Sequence, residues 1–305
     1  MILNEPWKPE KAVSPSEAAR LIEKQFPELK PAKVQKLGEG FDNSVFKVND
    51  RYVFRFPRRE IAAELIETEN RLLPVIAPML PIPIPNLQFQ GTADDSYPWP
   101  FSGYPMIDGT SPKQLTEEQR LMSTEPLAHF LRALHSFSVD EAKRLRIPFD
   151  NFGRIDLSVR KPRFAENIDK IWEYQLIDAD LNQALRKYLH TLPESFKEDI
   201  QTLVHGDLHI RNILVDDKGK VSGVIDWGDT HIGHPALDLS IAYSFIPPKG
   251  RTRFFQIYGE VDETMQTMAR FKAVYTAVLL LLYGHDLKDE DLVKESLTAI
   301  RLAMQ

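Results

Sequence analysis

The hydrophobic pattern of this chain changes its period about a third of the way along. Residues 32–56 form short alternating runs separated by a glycine turn and a polar turn, which predicts an antiparallel β-meander. LQFQG at 87–91 and FSGYPMI at 101–107 predict two further strands. The segment 60–76 has helical spacing, and a capping box at Ser14–Glu17 predicts an earlier helix. The first part of the chain is therefore predicted to be a small five-stranded antiparallel sheet accompanied by helices.

The rest of the chain has mainly helical periodicity. Apolar residues recur every three or four positions at 125–137, 163–176, 181–189, 263–284 and 289–304. The exception is the stretch 202–240, in which two apolar runs, NILV and VSGVID, flank the turn-rich tetrapeptide 216–219 and predict a hairpin. We therefore divide the chain into an N-terminal lobe at 1–107 and a mostly helical C-terminal lobe at 108–305.

Composition excludes several classes of protein. The chain of 305 residues contains no cysteine, so it has no disulfide framework, thiolate metal site or cysteine nucleophile. A net charge of −6 argues against a nucleic-acid partner. The longest apolar run, AVYTAVLLLLY at 273–283, is too short to span a bilayer, and the N-terminus does not read as a secretory signal. We expect a cytoplasmic protein, a monomer or weak dimer, with neither a nucleic-acid nor a membrane partner.

The stretch 202–240 concentrates polar groups beside apolar runs, and it contains four of the eight histidines. Two interpretations compete: a histidine-ligated metal centre, or a magnesium–nucleotide site in which most histidines have no direct role. The hairpin brings Asp226 back beside Asn212, so an amide oxygen and a carboxylate can share one cation. Oxygen ligands suit Mg²⁺. Asp207 is then free to accept the proton of an attacking hydroxyl, an arrangement that serves phosphoryl transfer.

The motif HGDLHIRN at 205–212 resembles the catalytic loop of the aminoglycoside phosphotransferase family, and IDWGD at 225–229 resembles its metal-binding motif. These enzymes are relatives of protein kinases. The resemblance implies a two-lobe, protein-kinase-like α+β fold with a small antiparallel N-terminal sheet, a mostly helical C-terminal lobe and a site in the cleft between them. It further implies that Asp207 is the catalytic base, that Asn212 and Asp226 hold magnesium, and that Asp238 is a structural carboxylate.

A matching nucleotide site is expected in the N-terminal part. The sequence LGEGFDNS at 37–44 fails as a dinucleotide-binding fingerprint, because a strand follows it where a helix is required. As a hairpin turn over phosphates it is suitable, since glycines let backbone N–H groups approach anionic oxygens. Its candidate nucleotide-binding residues are Gly38, Gly40, Asn43 and Ser44. A plain β-turn is the alternative.

A kinase-like lobe also needs a cation on the strand that follows this turn, paired with a carboxylate on a helix. Arg55 stands where the family normally has lysine. By the spacing of the family its partner is Glu69, with Glu64 and Glu67 left as alternatives one helical turn away. A solvated charged helix face is the competing interpretation. FSGYPMIDG resembles the hinge whose backbone holds the nucleotide base, at Met106 and Ile107.

Together these features predict an enzyme that transfers the γ-phosphate of ATP or GTP, with Mg²⁺ as cofactor, to a hydroxyl group of a small molecule. The family resemblance suggests an aminoglycoside-type antibiotic as the acceptor, and hence a role in antibiotic resistance. The alternatives are a macrolide kinase, a kinase for a metabolite such as a sugar or amino alcohol, and a non-catalytic pseudokinase that only binds nucleotide.

Overall fold

The computed structural model describes residues 10–40, 42–196 and 200–305. The chain forms two compact units. The first consists of the residues up to Met79, Pro83–Ile107 and the short segment Trp227–Asp229. The second consists of Leu80–Ile82, Asp108–Asp226 and Thr230–Gln305.

The first unit is built on a five-stranded sheet. Its strands are β1 (Val34–Glu39), β2 (Asn43–Val48), β3 (Tyr52–Pro57), β4 (Phe89–Gly91) and β5 (Phe101–Pro105). Their order is β1-β2-β3-β5-β4, and every neighbouring pair is antiparallel. The predicted sheet is confirmed, but β5 ends two residues before the predicted end. The reason is that Tyr52, the first residue of β3, pairs with Pro105, so the ladder has no partner strand beyond it.

Two helices accompany this sheet, α1 (Pro15–Gln25) and α2 (Glu60–Ile76), both as predicted. The capping box is present, since the Ser14 hydroxyl accepts from the Glu17 amide and the Glu17 carboxylate accepts from the Ser14 amide. Phenylalanine rings form much of the core, and the rings of Phe56 and Phe101 stack at 4.5 Å. Gly103 is required by this packing, because a Cβ there would lie 2.5 Å from the ring of Phe54.

The second unit is mostly helical. Its helices are α3 (Glu117–Leu121), α4 (Thr124–His135), α5 (Val139–Arg144), α6 (Leu157–Glu173), α7 (Ala179–Thr191), α8 (Ala236–Leu239), α9 (Ile241–Ser244), α10 (Pro248–Tyr258), α11 (Glu263–Leu287) and α12 (Glu290–Met304). The five long helical segments predicted from the sequence are confirmed. The sequence did not predict α3, α5, α8, α9 and α10, because four of them are too short to show a period and α10 begins in PPKG. Among the described residues, no helix has the length and apolarity needed to cross a membrane.

Two small antiparallel strand pairs interrupt the helices. The strands are β6 (Thr202–Val204), β7 (Ile213–Val215), β8 (Val221–Val224) and β9 (His231–Gly233). β6 pairs with β9, and β7 pairs with β8 in the predicted hairpin. Asp216 closes the hairpin turn, since its Oδ1 accepts from the amides of Lys218 and Lys220 at 2.9 and 3.0 Å. The loop 205–212 therefore runs from β6 into β7, with both of its ends fixed by strands.

Candidate active site

The loop 205–212 changes direction at Gly206, directly before Asp207. Gly206 has a φ of +83°, in the region that favours glycine over any residue with a Cβ. The buried carboxylate of Asp238, on α8, fixes this bend. Its Oδ2 accepts from the His205 amide at 2.7 Å, and its Oδ1 accepts from the Gly206 amide at 2.9 Å. Asp238 is completely buried, which accords with the structural role implied by the family resemblance.

A second layer of contacts supports Asp238. The Nε2 of His135, on α4, lies 3.1 Å from Asp238 Oδ2, and its Nδ1 lies 2.8 Å from the hydroxyl of Tyr258. Burial raises the pKa of the Asp238 carboxyl, but the hydrogen bond and charge of His135, the charge of His205 and the Gly206 amide together hold that pKa below its usual range. Both ring nitrogens of His135 thus have polar partners within the packed interior.

His205 is a bracing residue in this loop. Its side chain is fully buried, and its Nε2 donates to the Ile225 carbonyl at 3.1 Å. Its Nδ1 accepts from the Asp207 amide at 3.3 Å. The ring therefore joins the loop that carries Asp207 to Ile225, the residue before Asp226.

The Asp207 side chain is held by two neighbours and keeps 35% of its surface exposed. The Asn212 amide nitrogen donates to the Asp207 carbonyl at 2.8 Å and to its Oδ2 at 3.1 Å. The Nε2 of His209 lies 3.3 Å from the same Oδ2. Burial raises the pKa of the Asp207 carboxyl, but the attraction and hydrogen bond of His209, followed by Lys272 and His205, hold that pKa well below its usual range. Asp207 is thus an oriented carboxylate that is ionised at neutral pH and open to a partner.

Asn212 and Asp226 are neighbours across the hairpin. The Asn212 carbonyl accepts from the Ile225 amide at 2.9 Å, and the adjoining pair in the ladder is Ile213 with Val224. Both bonds of the Asn212 amide nitrogen go to Asp207, which leaves its Oδ1 as a candidate ligand oxygen. Asp226 is exposed and has a φ of +63°, a backbone region that is costly for a residue with a side chain and that occurs at functional sites.

This pair of oxygen donors fits the preference of Mg²⁺, which takes one or two protein oxygens and fills its other positions with water and phosphate. The fit rests on the chemistry of the donors and on the orientation of the Asn212 amide. In the described ranges, no group of three or more His, Cys, Asp or Glu side chains is arranged to hold a metal ion. The histidine-ligated centre, the alternative interpretation of the sequence, thus finds no ligand set there.

The glycine turn joins β1 to β2. The Gly40 amide donates to the Asn43 carbonyl at 3.0 Å, which closes the turn. A Cβ added to Gly38 would meet no atom within 4 Å, and one added to Gly40 would meet only the Asn43 carbonyl oxygen at 3.9 Å. The glycines therefore keep space open beside the backbone. Asn43 and Ser44 are buried as whole residues in β2, where Asn43 pairs with Pro57 and Ser44 with Phe56 of β3, so their predicted contact with a nucleotide stays a prediction. Phe41 lies outside the described residues.

Two arginines that the sequence interpretation missed hold this turn. Arg58 Nη1 donates to the Gly40 carbonyl at 2.6 Å, and Arg59 forms an ion pair with Asp42. The sequence feature that could have indicated these arginines is the Arg-Arg pair that directly follows β3. Because β3 lies antiparallel to β2 and Asn43 is paired with Pro57, residues just after Pro57 necessarily lie beside the turn.

Arg55 and Glu69 form a buried ion pair. One guanidinium nitrogen, Nη1, lies 3.0 and 2.7 Å from the two Glu69 oxygens, and both residues are buried. Glu64 and Glu67 are exposed, so the helical register selects Glu69 among the three candidates. A Cβ on Gly228 would lie 3.4 Å from Glu69 Oε1, which places this carboxylate against the segment Trp227–Asp229.

The predicted hinge residues lie just beyond β5. The Met106 amide donates to the Arg51 carbonyl at 2.8 Å, so this N–H is already used within the sheet. Met106 is exposed and Ile107 is partly buried. The backbone group of Met106 that can meet a nucleotide base is consequently its carbonyl.

Comparison with known proteins identifies what this geometry resembles. The sequence model of the phosphotransferase enzyme family matches residues 33–274. The GDP complex of wild-type aminoglycoside 2'-phosphotransferase-IIIa is 24% identical, with a TM-score of 0.69 over 96% of this chain and 99% of that one. A GDP and kanamycin complex of APH(2")-IIIa is 25% identical, with a TM-score of 0.65 over 94% and 97%. Macrolide 2'-phosphotransferase type I is 19% identical, with a TM-score of 0.58 over 95% and 98%. The predicted protein-kinase-like fold is confirmed.

Proposed function

The chain belongs to the phosphotransferase enzyme family, and we propose that it transfers the γ-phosphate of ATP or GTP to a hydroxyl group of a small molecule. The observation that carries this proposal is the arrangement of Asp207. Its carboxylate is ionised, oriented by Asn212 and His209, and still exposed over a third of its surface. These are the properties that an acceptor for a hydroxyl proton requires.

In the proposed reaction, Asp207 accepts a hydrogen bond from the acceptor hydroxyl and aims that oxygen at the γ-phosphorus. Because the pKa of Asp207 is low, its main contribution early in the reaction is to orient the hydroxyl group. Asp207 takes up the hydroxyl proton late, as the new oxygen–phosphorus bond forms and the bond to the leaving diphosphate breaks. Asn212 and Asp226 would hold a magnesium ion, which would supply positive charge to the phosphate oxygens. Asp238, His205 and Gly206 keep the loop in place during the step.

The donor is proposed to be held by parts of the first unit. The space left open beside Gly38 and Gly40 would let phosphate oxygens approach the backbone of the turn, with Arg55 neutralising phosphate charge. At Met106 and Ile107 the backbone would meet the base. Two of the similar structures contain GDP, which supports a purine nucleotide as donor and makes GTP as important to test as ATP.

The acceptor class is suggested first by the relatives. A similar structure contains kanamycin, and another similar protein is a macrolide phosphotransferase. An aminoglycoside acceptor, and with it a role in antibiotic resistance, is thus the family-based expectation for this chain, with a macrolide or a hydroxylated metabolite as the alternatives.

The test is phosphate transfer from ATP and from GTP, each with Mg²⁺, to a panel of alcohols: kanamycin, a macrolide and several sugars. A phosphorylated product, identified by mass spectrometry, supports the proposal. Nucleotide binding with no phosphorylated product from any acceptor would contradict it and would support a protein that binds nucleotide without turnover.

A further inference from the structure

A small cavity lies beneath the loop 205–212, which is the catalytic loop of the proposed function. Leu208, His209 and Ile210 of this loop line one side of the cavity, and residues from α9, α11 and α12 line the rest. Its volume, counted as the space open to the centre of a water molecule, is about 10 Å³. One water needs roughly 10–15 Å³ by this measure, so the cavity has room for one molecule of that size and no more.

Two of the side chains that line this cavity carry hydroxyl groups without a protein partner. They belong to Thr276, on α11, and to Ser296, on α12. The Oγ atoms of both are shielded from solvent, and within the described part of the chain neither of them forms a hydrogen bond. Buried hydroxyl groups in folded proteins are normally hydrogen-bonded, so this pair calls for a physical explanation.

The usual partner of a serine or threonine hydroxyl in a helix is the backbone carbonyl one turn earlier. Thr267 on α11 and Thr298 on α12 donate to such carbonyls, at 2.8 and 3.0 Å. Thr276 and Ser296 lie on the same two helices and do not form this bond. Their hydroxyl groups are consequently available to a molecule in the cavity.

Two further serines complete the polar lining of the cavity. The hydroxyl of Ser240 donates to the Leu237 carbonyl at 2.7 Å, and the hydroxyl of Ser244 donates to the Ser240 carbonyl at 3.1 Å. Since each of these hydroxyls already uses its proton, its oxygen can only accept a further hydrogen bond. The cavity therefore offers two donors, on Thr276 and Ser296, and two acceptors. This set matches the two lone pairs and two O–H groups of one water molecule.

Ions fit this lining poorly. Among the described residues, those that line the cavity include no Asp, Glu, Lys or Arg, so either a cation or an anion would be buried there without an opposite charge. His209 is the titratable residue of the lining, but its Nε2 faces Asp207 and its Nδ1 accepts from the Arg211 amide. Neither ring nitrogen is therefore left to pair with an ion in the cavity.

We propose that this cavity is a binding site for one ordered water molecule, which accepts from Thr276 and Ser296 and donates to Ser240 and Ser244. The water joins α11 and α12 to the chain segment that follows Asp238. The carboxylate of Asp238 holds the bend of the catalytic loop, and Ser240 lies two residues after it. The bound water is thus part of the support beneath this loop, whichever acceptor the protein phosphorylates.

A high-resolution crystal structure tests the site directly. We expect a density peak for one water about 2.5–3.0 Å from both Thr276 Oγ1 and Ser296 Oγ. Hydroxyl groups that instead donate to the carbonyls of Lys272 and Leu292, with no peak between them, would overturn the proposal. A peak whose ligand distances all lie below about 2.4 Å would also overturn it, because such distances indicate a bound cation.

A variant that fills the cavity tests the site in solution. Ser296→Val replaces the hydroxyl group by two methyl groups, so oxygen-17 relaxation dispersion should count about one long-lived internal water fewer than in the natural protein. Thr298→Val is the matched control on α12, because the Thr298 hydroxyl is bonded to its own helix and the count should not change. If Ser296→Val does not fold, Ala299→Val fills the same cavity and should lose the same water. A filled variant that keeps the water count of the natural protein would overturn the proposal.

Discussion

Replacement of Asp238 by asparagine tests how the catalytic loop is held. The substitution keeps the size of a fully buried side chain and removes its charge. The carboxylate accepts from the amides of His205 and Gly206 and faces the Nε2 of His135. In either orientation of the asparagine amide, its NH₂ group must face at least one of the two backbone N–H groups, so that donor loses its partner.

The expected cost follows from these contacts. A hydrogen bond to a charged group contributes about 1.5–3 kcal/mol, and a buried donor left without a partner costs about 1–3 kcal/mol. We therefore expect Asp238→Asn to lower the free energy of unfolding by about 3–5 kcal/mol at pH 7. Because the displaced backbone carries Gly206 and Asp207, kcat should fall by about 10–100-fold.

Asp216→Asn is the matched control. Asp216 also accepts from two backbone amides through one carboxylate, at 2.9 and 3.0 Å, but it is exposed, so its amide oxygen can keep both bonds. Asp216→Asn should lower the free energy of unfolding by less than about 1 kcal/mol. The free energy of unfolding of both variants is measured by urea denaturation, monitored by circular dichroism. Equal destabilisation by the two substitutions, or a loss below 1 kcal/mol for Asp238→Asn, would refute the reasoning.

The pH dependence of the Asp238 effect has a defined sign. The folded pKa of Asp238 is depressed, so its stabilisation is present above the unfolded value of about 3.9 and is lost as pH falls through the folded pKa. The difference in stability between the natural protein and Asp238→Asn should consequently be largest near neutral pH and should shrink below about pH 4.

Other predictions concern the proposed nucleotide and metal groups. Arg55→Lys should keep activity within about tenfold, because a lysine on β3 keeps a positive charge beside Glu69. A loss as large as that of Arg55→Met would contradict this. Glu69→Gln should lower the free energy of unfolding by about 3–5 kcal/mol because it removes the negative charge of a buried ion pair. Glu67→Gln, on the exposed face of α2, should lower it by less than about 0.5 kcal/mol in thermal or urea unfolding. Asp226→Ala should abolish Mg²⁺-dependent transfer, and activity that still titrates with Mg²⁺ at the normal concentration would remove Asp226 from the metal site.

Local patterns in the sequence predicted most elements of the fold. The strands of the first unit and helix α2 were predicted closely, because alternating and helical periods were both clear in 32–76. Helix α10 was missed because its segment opens with two prolines and a glycine and its apolar residues come late. Its side chain Tyr258 nevertheless reaches His135, and this contact was not predictable from the sequence.

The residues of the candidate site likewise include some that a local sequence motif predicts and others that only the folded structure brings together. Residues joined by a short motif, such as Asp207 and Asn212, were predicted as a group, and the structure shows them in direct contact. Glu69 could not be separated from Glu64 and Glu67 by sequence, since the choice depends on which face of α2 is buried. Lys272 is 65 positions beyond Asp207 in the chain, and only the packing of α11 brings its charge to that carboxylate.

The most direct test of the central claim is the rate of phosphate transfer by Asp207→Ala, measured with the best acceptor of the panel in single-turnover conditions. The account predicts a fall of about 10²–10⁴-fold, with the affinity for the Mg²⁺–nucleotide changed by less than about threefold. Transfer at close to the natural rate, from protein that binds nucleotide normally, would contradict the assignment of Asp207 and the mechanism built on it.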